Sequence, residues 1–320
     1  MIHPKVSVIM PVYNTEEYVE DALLSVMNQT LKEIEIIVIN DGSTDNSFER
    51  ISKLAQTDPR IRIFSQTNKG LSEARNVGMS KTTGEFIYFM DSDDLLEEET
   101  LLCCYEKCCN EQLDFVFFDA EAFRDDHKEL DSHFSYNRAQ YVEDRIYTGP
   151  EILEILLDKM KYRASVCLNL INRNFLFSNN HAFYPDIIHE DELFSGILYL
   201  NANRVGCISK RFFKRRVRVN SIMTNNYSFH HISSYLTVVH ELIKYSKTRP
   251  STPFPAAIDK LISYILNPSV YNANVLSFKE RNKVFMICVE NSYFKYLTLK
   301  NLIILLFPFS ITLKSYFKKK

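Results

Sequence analysis

Apolar runs typical of buried strands alternate with stretches of helical apolar spacing over the first 120 residues. The apolar runs are VSVIMPVY (6–13), EIEIIVIN (33–40), IRIFS (61–65), EFIYFM (85–90) and DFVFF (114–118). Apolar residues recur at helical spacing between the first four of them, over 19–27, 46–55 and 71–80. This alternation predicts an α/β fold, in which right-handed β–α–β units form an open, mostly parallel sheet flanked by helices. Asn14, with Glu17 three residues later, is expected to cap the first helix.

The pattern changes near residue 150. Three segments precede a basic, strand-like run, KRFFKRRVRV (210–219). They are a helical stretch over 150–161, the mixed segment SVCLNLINRNFLF (165–177) and an apolar helix that starts in IIHEDELF (187–194). Residues from Tyr235 onward have mainly helical patterns. The sequence therefore predicts one α/β unit over 1–225 and a mainly helical C-terminal region over 226–320.

The composition is that of a globular protein with a large core. The chain has 320 residues, of which 46% are hydrophobic and 24% charged. Its net charge of −2 and isoelectric point near 6.5 give no support for nucleic acid as a partner. Its seven cysteines lack CxxC spacing. Cys104 and Cys108 share one helix face, which suits either a metal clip or small apolar residues in a reduced, cytosolic protein.

Polar residues follow three of the predicted strands. The first strand ends in PVYN (11–14), the second in NDGSTD (40–45) and the fourth in DSDD (91–94). In an open parallel sheet, the carboxyl ends of the strands lie along one edge, and ligands bind there. We therefore expect a single binding site along that edge.

Asp91, Asp93 and Asp94 stand together where the fourth strand ends. Two like charges about 4 Å apart repel by roughly 4 kcal/mol at an effective dielectric near 20, so a divalent cation is an expected partner. Mg²⁺ or Mn²⁺ would be shared with substrate phosphates. An EF-hand loop is disfavoured, because Leu96 and Leu102 stand where it needs Gly and Glu. An aspartyl-phosphate phosphatase normally carries its DxD after the first strand, whereas this one follows the fourth. A helix cap is a further alternative, but it would need only one Asp.

Two residues in the first loops suit a nucleotide base. Asp41 lies beside Gly42, where the backbone can approach a ligand closely, and its carboxylate could accept a hydrogen bond from the imide N–H of uracil. Tyr13 could stack its ring on the base. A capped turn and an ordinary strand-end tyrosine explain the same two residues equally well.

Three arginines suit a diphosphate. Arg75 stands near a helix start, where it could donate to a diphosphate or form a surface ion pair. In RRVRVNS (215–221), strand alternation would place Arg216 and Arg218 on one face. They could grip a diphosphate there, or they could form a solvated basic edge strand.

An acidic pair, Glu190 and Asp191, opens the apolar helix that follows a proline-containing loop. Acidic residues in a first turn often do no more than stabilise the positive end of the helix dipole. The functional alternative is a general base at the mouth of the site, which typically contributes 10²–10⁴-fold in rate.

The motifs PVYN, NDGSTD, NKGLSEARNVG (68–78), DSDD and HEDELF, in this order, resemble those of the family 2 glycosyltransferases. The resemblance covers about residues 5–225. It implies a GT-A fold, with a Rossmann-like, mostly parallel sheet flanked by helices. It also implies transfer of a hexose or an N-acetylhexosamine from a nucleotide-diphosphate sugar, above all a UDP-sugar, to a saccharide acceptor. Such enzymes build bacterial capsule, exopolysaccharide or lipopolysaccharide chains. Galactose, glucose and their N-acetyl forms all suit the motifs.

The resemblance implies roles for the matching residues. The donor would be bound by Pro11, Tyr13, Asp41, Arg75, Asp91, Arg216, Arg218 and Ser221. Asp93, together with Asp91, would hold Mn²⁺ or Mg²⁺. Asp191 would be the general base that takes the proton of the acceptor hydroxyl in an inverting displacement. Glu190 and Asn169 would lie beside this centre or near the acceptor.

Other features bear on the class of function and on the acceptor. A nucleotidyltransferase would need a Gly-rich phosphate loop after the first strand, and MPVYNTEEY (10–18) has no Gly. A non-catalytic scaffold of a polysaccharide assembly complex would not need intact DSDD and HED motifs. The family often has an aromatic residue, commonly Trp, where this chain has Cys167 or Leu168, and this chain has no Trp. The expected acceptor is a saccharide carried on a lipid.

The C-terminal segment NLIILLFPFSITLKSYFKKK (301–320) suits a membrane surface. Its apolar run is too short to span a bilayer, which needs about 20 residues, and Pro308 interrupts it. Lysines at 314 and 318–320 would face anionic lipid if the segment over about 299–320 lay in the interface. The alternative is a helix that closes the core, with a solvated tail. With no signal peptide at its start, the protein is expected in the cytoplasm, peripheral at the inner face of a bacterial plasma membrane.

Overall fold

A parallel four-stranded half-sheet forms the first part of the fold. The computed structural model describes residues 3–124, 136–217, 228–248 and 255–306. Its first elements are β1 (Val6–Val12), α1 (Val19–Met27), β2 (Ile34–Asp41), α2 (Ser47–Ala55), β3 (Ile61–Gln66), α3 (Leu71–Ser80) and β4 (Phe86–Phe89). The strands pair in parallel in the order β3-β2-β1-β4. Every residue of β1, β2 and β4 is buried, which explains why these strands are continuous apolar runs in the sequence.

The remaining described strands make the sheet mixed. They are β5 (Leu95–Leu96), β6 (Phe115–Phe123), β7 (Asn169–Asn172) and β8 (Val205–Arg216). The full order is β3-β2-β1-β4-β7-β6-β8-β5. β7 is antiparallel to β4 and to β6, β8 is parallel to β6, and β5 is antiparallel to β8. The fold class is confirmed, but the predicted fifth strand, β6, does not extend the parallel run directly, because the short β7 lies between it and β4.

Helices flank the sheet and continue into the C-terminal region. They are α4 (Thr100–Glu111), α5 (Gly149–Asp158), α6 (Arg173–Ser178), α7 (Glu190–Asn201), α8 (Phe229–Thr248), α9 (Pro255–Asn272), α10 (Phe278–Glu290) and α11 (Leu299–Leu306). α9 packs against α5 and α7, and α8 packs against α7, so these helices join the C-terminal region to the sheet. The predicted boundary at 225 lies outside the described residues, and the division into two units stays a prediction. Among the described helices, none has the length and apolar character to cross a bilayer.

The predicted N-cap at Asn14 is wrong. α1 begins at Val19, and its N-cap residue, Tyr18, makes no capping hydrogen bond through its side chain. Asn14 instead has a φ of 49°, and its Oδ1 accepts a hydrogen bond from the backbone N–H of Thr44 at 2.8 Å. The side chain therefore ties together the loops after β1 and β2, a contact that the local capping pattern does not anticipate.

Candidate active site

Three loops meet at the carboxyl ends of β2, β1 and β4, which are neighbours in the sheet. These strand ends carry Asp41, Tyr13 and Asp91. The loops are tied to one another, since the Thr15 hydroxyl donates to Ser92 Oγ at 3.0 Å. The structure thus gathers the predicted strand-end residues along one edge, where ligands bind in open α/β sheets.

Arg75 lies at the centre of an acidic cluster. Its Nη1 donates to Asp191 Oδ1 at 2.6 Å and to Glu190 Oε1 at 2.7 Å, and its Nη2 donates to Asp91 Oδ1 at 2.9 Å. The guanidinium also lies over the ring of Phe183, 5.1 Å from its centroid. Only 1% of Arg75 is exposed. One cation therefore joins the end of β4 to the first turn of α7, which follows it by about 100 residues.

A close approach of α3 to the sheet fixes the position of Arg75. Gly78 lies one turn further along α3, and a Cβ at this position would collide with Ile9 Cγ2 of β1. The missing side chain lets the helix pack directly on the strand. Arg75 is thereby held beside the carboxyl ends of β1 and β4.

The cluster has an excess of negative charge, with three carboxylates around one guanidinium. Burial and the neighbouring Asp191 raise the pKa of Glu190 to about 7, although Arg75 opposes the rise. Burial also raises the pKa of Asp191, and Arg75 limits that increase. The charges of the carboxylates outweigh burial at Arg75 and raise its pKa well above the ordinary value. A carboxylate with a raised pKa is a stronger base than a solvated one, which suits a residue that takes a proton from a hydroxyl.

The three aspartates after β4 have different environments. Asp94 is buried, and its Oδ1 accepts a hydrogen bond from the backbone N–H of Arg216 at 2.7 Å. Burial and the charges of Asp93 and Asp91 raise its pKa well above the usual range. The next helix, α4, begins only at Thr100, so Asp94 anchors β8 and does not cap a helix.

Asp91 and Asp93 are the carboxylates after β4 that could hold a divalent cation. Both are half-buried, and Asp91 gives one oxygen to Arg75. Within the residues that the structure describes, no three His, Cys, Asp or Glu side chains are grouped so as to hold a metal by themselves. Mg²⁺ and Mn²⁺ commonly take one or two protein carboxylates together with substrate phosphates. The donor set after β4 therefore fits a cation that arrives with a diphosphate.

Arg216 lies at the end of β8, beside the aspartates. Its Nε donates to the backbone oxygen of Asp93 at 2.9 Å. Its guanidinium lies between the rings of Tyr18 and Phe123, at 5.0 and 4.8 Å from their centroids. The structure therefore places Arg216 next to the predicted metal residue. Arg218 and Ser221 lie outside the described residues.

Asp41 organises the loop that leads into α3. Its Oδ1 accepts hydrogen bonds from Gln66 Nε2 at 2.7 Å and from Lys69 N at 2.9 Å, and its Oδ2 accepts one from Gly70 N at 2.9 Å. An ionised carboxylate has about four acceptor positions, so one is left for a further donor. Tyr13, 48% exposed, stands at the open end of the neighbouring strand.

Pro11 and Asn169 occupy buried positions on either side of the cluster. Pro11 lies inside β1, paired with Ile39 of β2, ahead of the first loop. Asn169 begins β7, and its Nδ2 donates to the backbone oxygen of Ser165 at 3.1 Å. Its Oδ1 is buried and has no hydrogen-bond partner among the described residues. Among the described residues, neither forms a hydrogen bond with Arg75, and their predicted roles in the site stay predictions.

The sequence did not single out two further residues near Asp191, His189 and Glu192. His189 has a φ of 69° at the start of α7, and its ring stacks on Tyr235 with centroids 4.0 Å apart. Burial, His231 and His230 lower its pKa to about 4. Burial and Asp191 raise the pKa of Glu192 to about 7. Both lie in the HEDELF motif, but their environments come from α8 and α9, which the motif does not reveal.

The fold and the strand-end cluster define an α/β protein whose polar residues gather at the carboxyl ends of parallel strands, where proteins of this class bind ligands. The family described as Glycosyl transferase family 2 matches residues 7–169, about half of the chain. The chain belongs to this family, which confirms the identification made from the five motifs. Its relatives are named as glycosyltransferases.

Two relatives show how far the similarity extends. The chain is 31% identical over 224 residues to glycosyltransferase GlyA of Streptococcus pneumoniae serotype 4, a match that covers 69% of this chain and 32% of GlyA. It is 33% identical over 225 residues to the uncharacterized glycosyltransferase EpsJ of Bacillus subtilis (strain 168), covering 68% of this chain and 63% of EpsJ. The chain therefore spans less than two thirds of either relative.

A solved structure confirms the predicted GT-A fold. The crystal structure of S. aureus TarS 1–349 in complex with UDP-GlcNAc superimposes with a TM-score of 0.70. The superposition covers 88% of this chain and 79% of that chain, at 22% sequence identity. At this identity the likeness concerns the fold, including part of the helical region that follows the sheet.

Proposed function

We propose that this protein is an inverting glycosyltransferase that transfers a hexose or an N-acetylhexosamine from a UDP-sugar to a lipid-linked saccharide during synthesis of a bacterial surface polysaccharide. The observation that carries this proposal is the Arg75 cluster, which joins the acidic end of β4 to Asp191. A donor bound along the strand ends would then lie beside a carboxylate from a distant part of the chain. Membership of the family supports the reaction class, and the TarS complex with UDP-GlcNAc supports a UDP-sugar.

The donor nucleotide is assigned to the ends of β1 and β2. The exposed ring of Tyr13 is free of the core and offers a stacking surface for the base. Asp41 keeps one acceptor position beyond the three hydrogen bonds that it makes to its own loop. The imide N–H of uracil is the donor proposed for it, and Pro11 sets the course of the loop before Tyr13.

The diphosphate is assigned to the ends of β4 and β8. Asp93, with Asp91, would hold Mn²⁺ or Mg²⁺, which when bound offsets the negative charge that develops on the leaving diphosphate. Arg216 lies beside Asp93 and would add a guanidinium to the same charge. Arg218 and Ser221 are proposed to continue this contact. Arg75 is buried among carboxylates, so we assign it to positioning Asp91 and Asp191 next to the nucleotide.

Asp191 is the proposed general base. As the acceptor oxygen forms its bond to the anomeric carbon, the bond from that carbon to the diphosphate breaks, and UDP leaves with the electron pair. The hydroxyl proton passes to Asp191. Attack opposite the leaving group inverts the anomeric configuration. Arg75 and the backbone N–H of Val166 hold the two oxygens of Asp191, and Glu190 shares Arg75 with it.

Replacement of Asp191 by Asn tests the reaction class. The variant should bind UDP-sugar as the unmodified protein does, because Asp191 is placed on the acceptor side. UDP release in the presence of a lipid extract from bacterial membranes should fall by about 10²–10⁴-fold, since the proton has no acceptor. Asp186→Asn, a matched change at an exposed loop residue nearby, should leave the rate unchanged. Full activity of Asp191→Asn would remove this residue from the mechanism.

A membrane surface is the proposed location, at the inner face of the plasma membrane. Leu299, Ile303 and Leu306 lie on one face of α11, and all three are exposed, whereas Ile304 is buried. The apolar face precedes the lysines at 314 and 318–320, which lie outside the described residues. An apolar helix face next to basic residues suits an interface with anionic lipid.

Vesicle sedimentation tests this location. The protein should sediment with phosphatidylglycerol vesicles more than with phosphatidylcholine vesicles, and the double change Leu299→Ser with Ile303→Ser should reduce the bound fraction. Phe278→Ser, at an exposed position on α10, is the matched control. Equal binding by all three proteins, or none by the unmodified protein, would contradict the proposed contact.

A further inference from the structure

A cavity of about 800 Å³ opens beside the acidic cluster, where the helical C-terminal region meets the sheet unit. It lies between the end of α5, the first turn of α7 and one side of α9. Its size is within the range of small-molecule sites, about 300–1,000 Å³. It is not part of the strand-end site, because neither Tyr13, Asp41 nor the aspartates after β4 line it.

Glu192 connects this cavity to the acidic cluster. It lines the cavity and directly follows Asp191 in α7. Glu192 and Asp191 are neighbours in the first turn of α7, and after burial the charge of Asp191 contributes to the raised pKa of Glu192. Oε2 of Glu192 is buried and has no hydrogen-bond partner among the described residues. Such an acceptor is costly to leave unpaired, so a rotation that turned this oxygen toward a hydroxyl donor in the cavity would be favourable.

The walls of the cavity combine aromatic rings with hydrogen-bonding side chains. Tyr235, Tyr264 and Tyr296 supply the rings. Tyr264 is fixed by an edge-on contact with Tyr162, whose centroid is 5.7 Å away. Asn272 adds an amide. Rigid rings beside hydroxyl-binding groups suit a sugar ring, which has apolar C–H faces and polar edges.

The charges around the cavity do not favour an anionic ligand. Its lining carries three carboxylates, from Asp158, Glu192 and Asp259, against two ammonium groups, from Lys260 and Lys295. Lys260 is already paired with Asp158 at 2.9 Å. A nucleotide or a phosphate would have to compete with Asp158 for Lys260, whereas an uncharged polyol would not.

We infer that this cavity binds an uncharged sugar unit of the acceptor and so places the reacting hydroxyl of that acceptor next to Asp191. The inference rests on the proposed function for the identity of the reaction, and it adds a second binding site that is separate from the donor site. Glu192 accepts a hydrogen bond from a sugar hydroxyl, and the tyrosines contact the ring.

Ligand-observed saturation-transfer NMR with lactose, cellobiose, maltose and N,N′-diacetylchitobiose tests the inference. Ser263 is half-buried in the cavity wall, so Ser263→Trp fills the space. Ala256→Trp, at an exposed position on the same helix, is the matched control. Glu192→Gln keeps the shape and removes the charge. At least one disaccharide should bind the unmodified protein and Ala256→Trp, bind Glu192→Gln about tenfold more weakly, and not bind Ser263→Trp.

A second measurement separates this inference from the proposed function. Stabilisation by UDP with Mn²⁺ should be the same in all four proteins, because the donor site is elsewhere. The inference is overturned if no disaccharide binds the unmodified protein. It is also overturned if Ser263→Trp and Glu192→Gln bind a disaccharide as tightly as the unmodified protein does. In both cases UDP binding still stands. If UDP stabilises none of the proteins, the proposed donor is wrong, whatever the disaccharides do. If circular dichroism shows Ser263→Trp unfolded, Glu192→Gln decides.

Discussion

Arg75 compensates for a concentration of negative charge that the fold could not otherwise bury. Its guanidinium faces Asp91, Glu190 and Asp191. Removing one partner of a buried ion pair leaves uncompensated charge, which costs about 3–5 kcal/mol. At this scale the sequence predicted which residue types belong to the site but gave Arg75 a direct contact with the nucleotide. That role is untested, and the observed contacts favour a positioning role.

Arg75→Met should lower the free energy of unfolding by about 3–5 kcal/mol at pH 8. The folded-state pKa of Glu190, about 7 with Arg75 present, already exceeds the unfolded value of about 4.3 and should rise further without Arg75. A raised folded-state pKa stabilises at low pH and loses that effect as the pH rises through it, so the deficit should be smaller at pH 5. Urea unfolding of the variant and the unmodified protein at pH 8 and at pH 5 measures the two deficits.

Arg145→Met is the control for this change. Arg145 is exposed and pairs with Glu151 at 2.7 Å. Loss of an exposed pair costs up to about 1 kcal/mol and should depend little on pH in this range. An equal cost for both substitutions, or a deficit of Arg75→Met that grows toward pH 5, would show that the cluster is not held by this charge.

The packing of α3 on β1 is the element-scale feature on which the site depends. The predicted range of this helix, 71–80, is confirmed, because its apolar spacing is local information. β7 has four residues and no alternation long enough to recognise, and its position between β4 and β6 depends on pairing with distant strands. The predicted N-cap at Asn14 is wrong for a similar reason, because its side chain accepts a hydrogen bond from Thr44 in the loop after β2.

Gly78→Ala should destabilise the protein, contrary to helix propensity. In an exposed helix interior this change stabilises by about 1 kcal/mol. At Gly78 the new methyl group would collide with Ile9, and overpacking costs about 1–3 kcal/mol. Thermal unfolding should show a lower Tm, and titration should show weaker UDP binding because Arg75 moves. Ser80→Ala, exposed near the end of the same helix, should change neither. A higher Tm for Gly78→Ala would contradict the close packing.

The whole molecule brings the site together from distant parts of the chain. The bond from Arg75 to Asp191 joins residues 116 positions apart. The sequence could place Asp41 and Asp91 on one sheet edge, because strand alternation fixes where the carboxyl ends lie. It could not place Arg75 against Asp191, or open a cavity beside Glu192, because both depend on how α7, α8 and α9 pack on the sheet.

Thermal shift with a panel of nucleotide sugars, in Mn²⁺ and in chelator, tests the central claim most directly. A ligand that binds only the folded state at 100 times its Kd stabilises by about 2.7 kcal/mol. UDP-sugars should raise the Tm in Mn²⁺ by more than in chelator. Asp93→Ala should lose the Mn²⁺-dependent part, whereas Asp186→Ala should keep it. No Tm change with any nucleotide sugar, or an unchanged Mn²⁺ effect in Asp93→Ala, would contradict a metal-dependent donor site after β4.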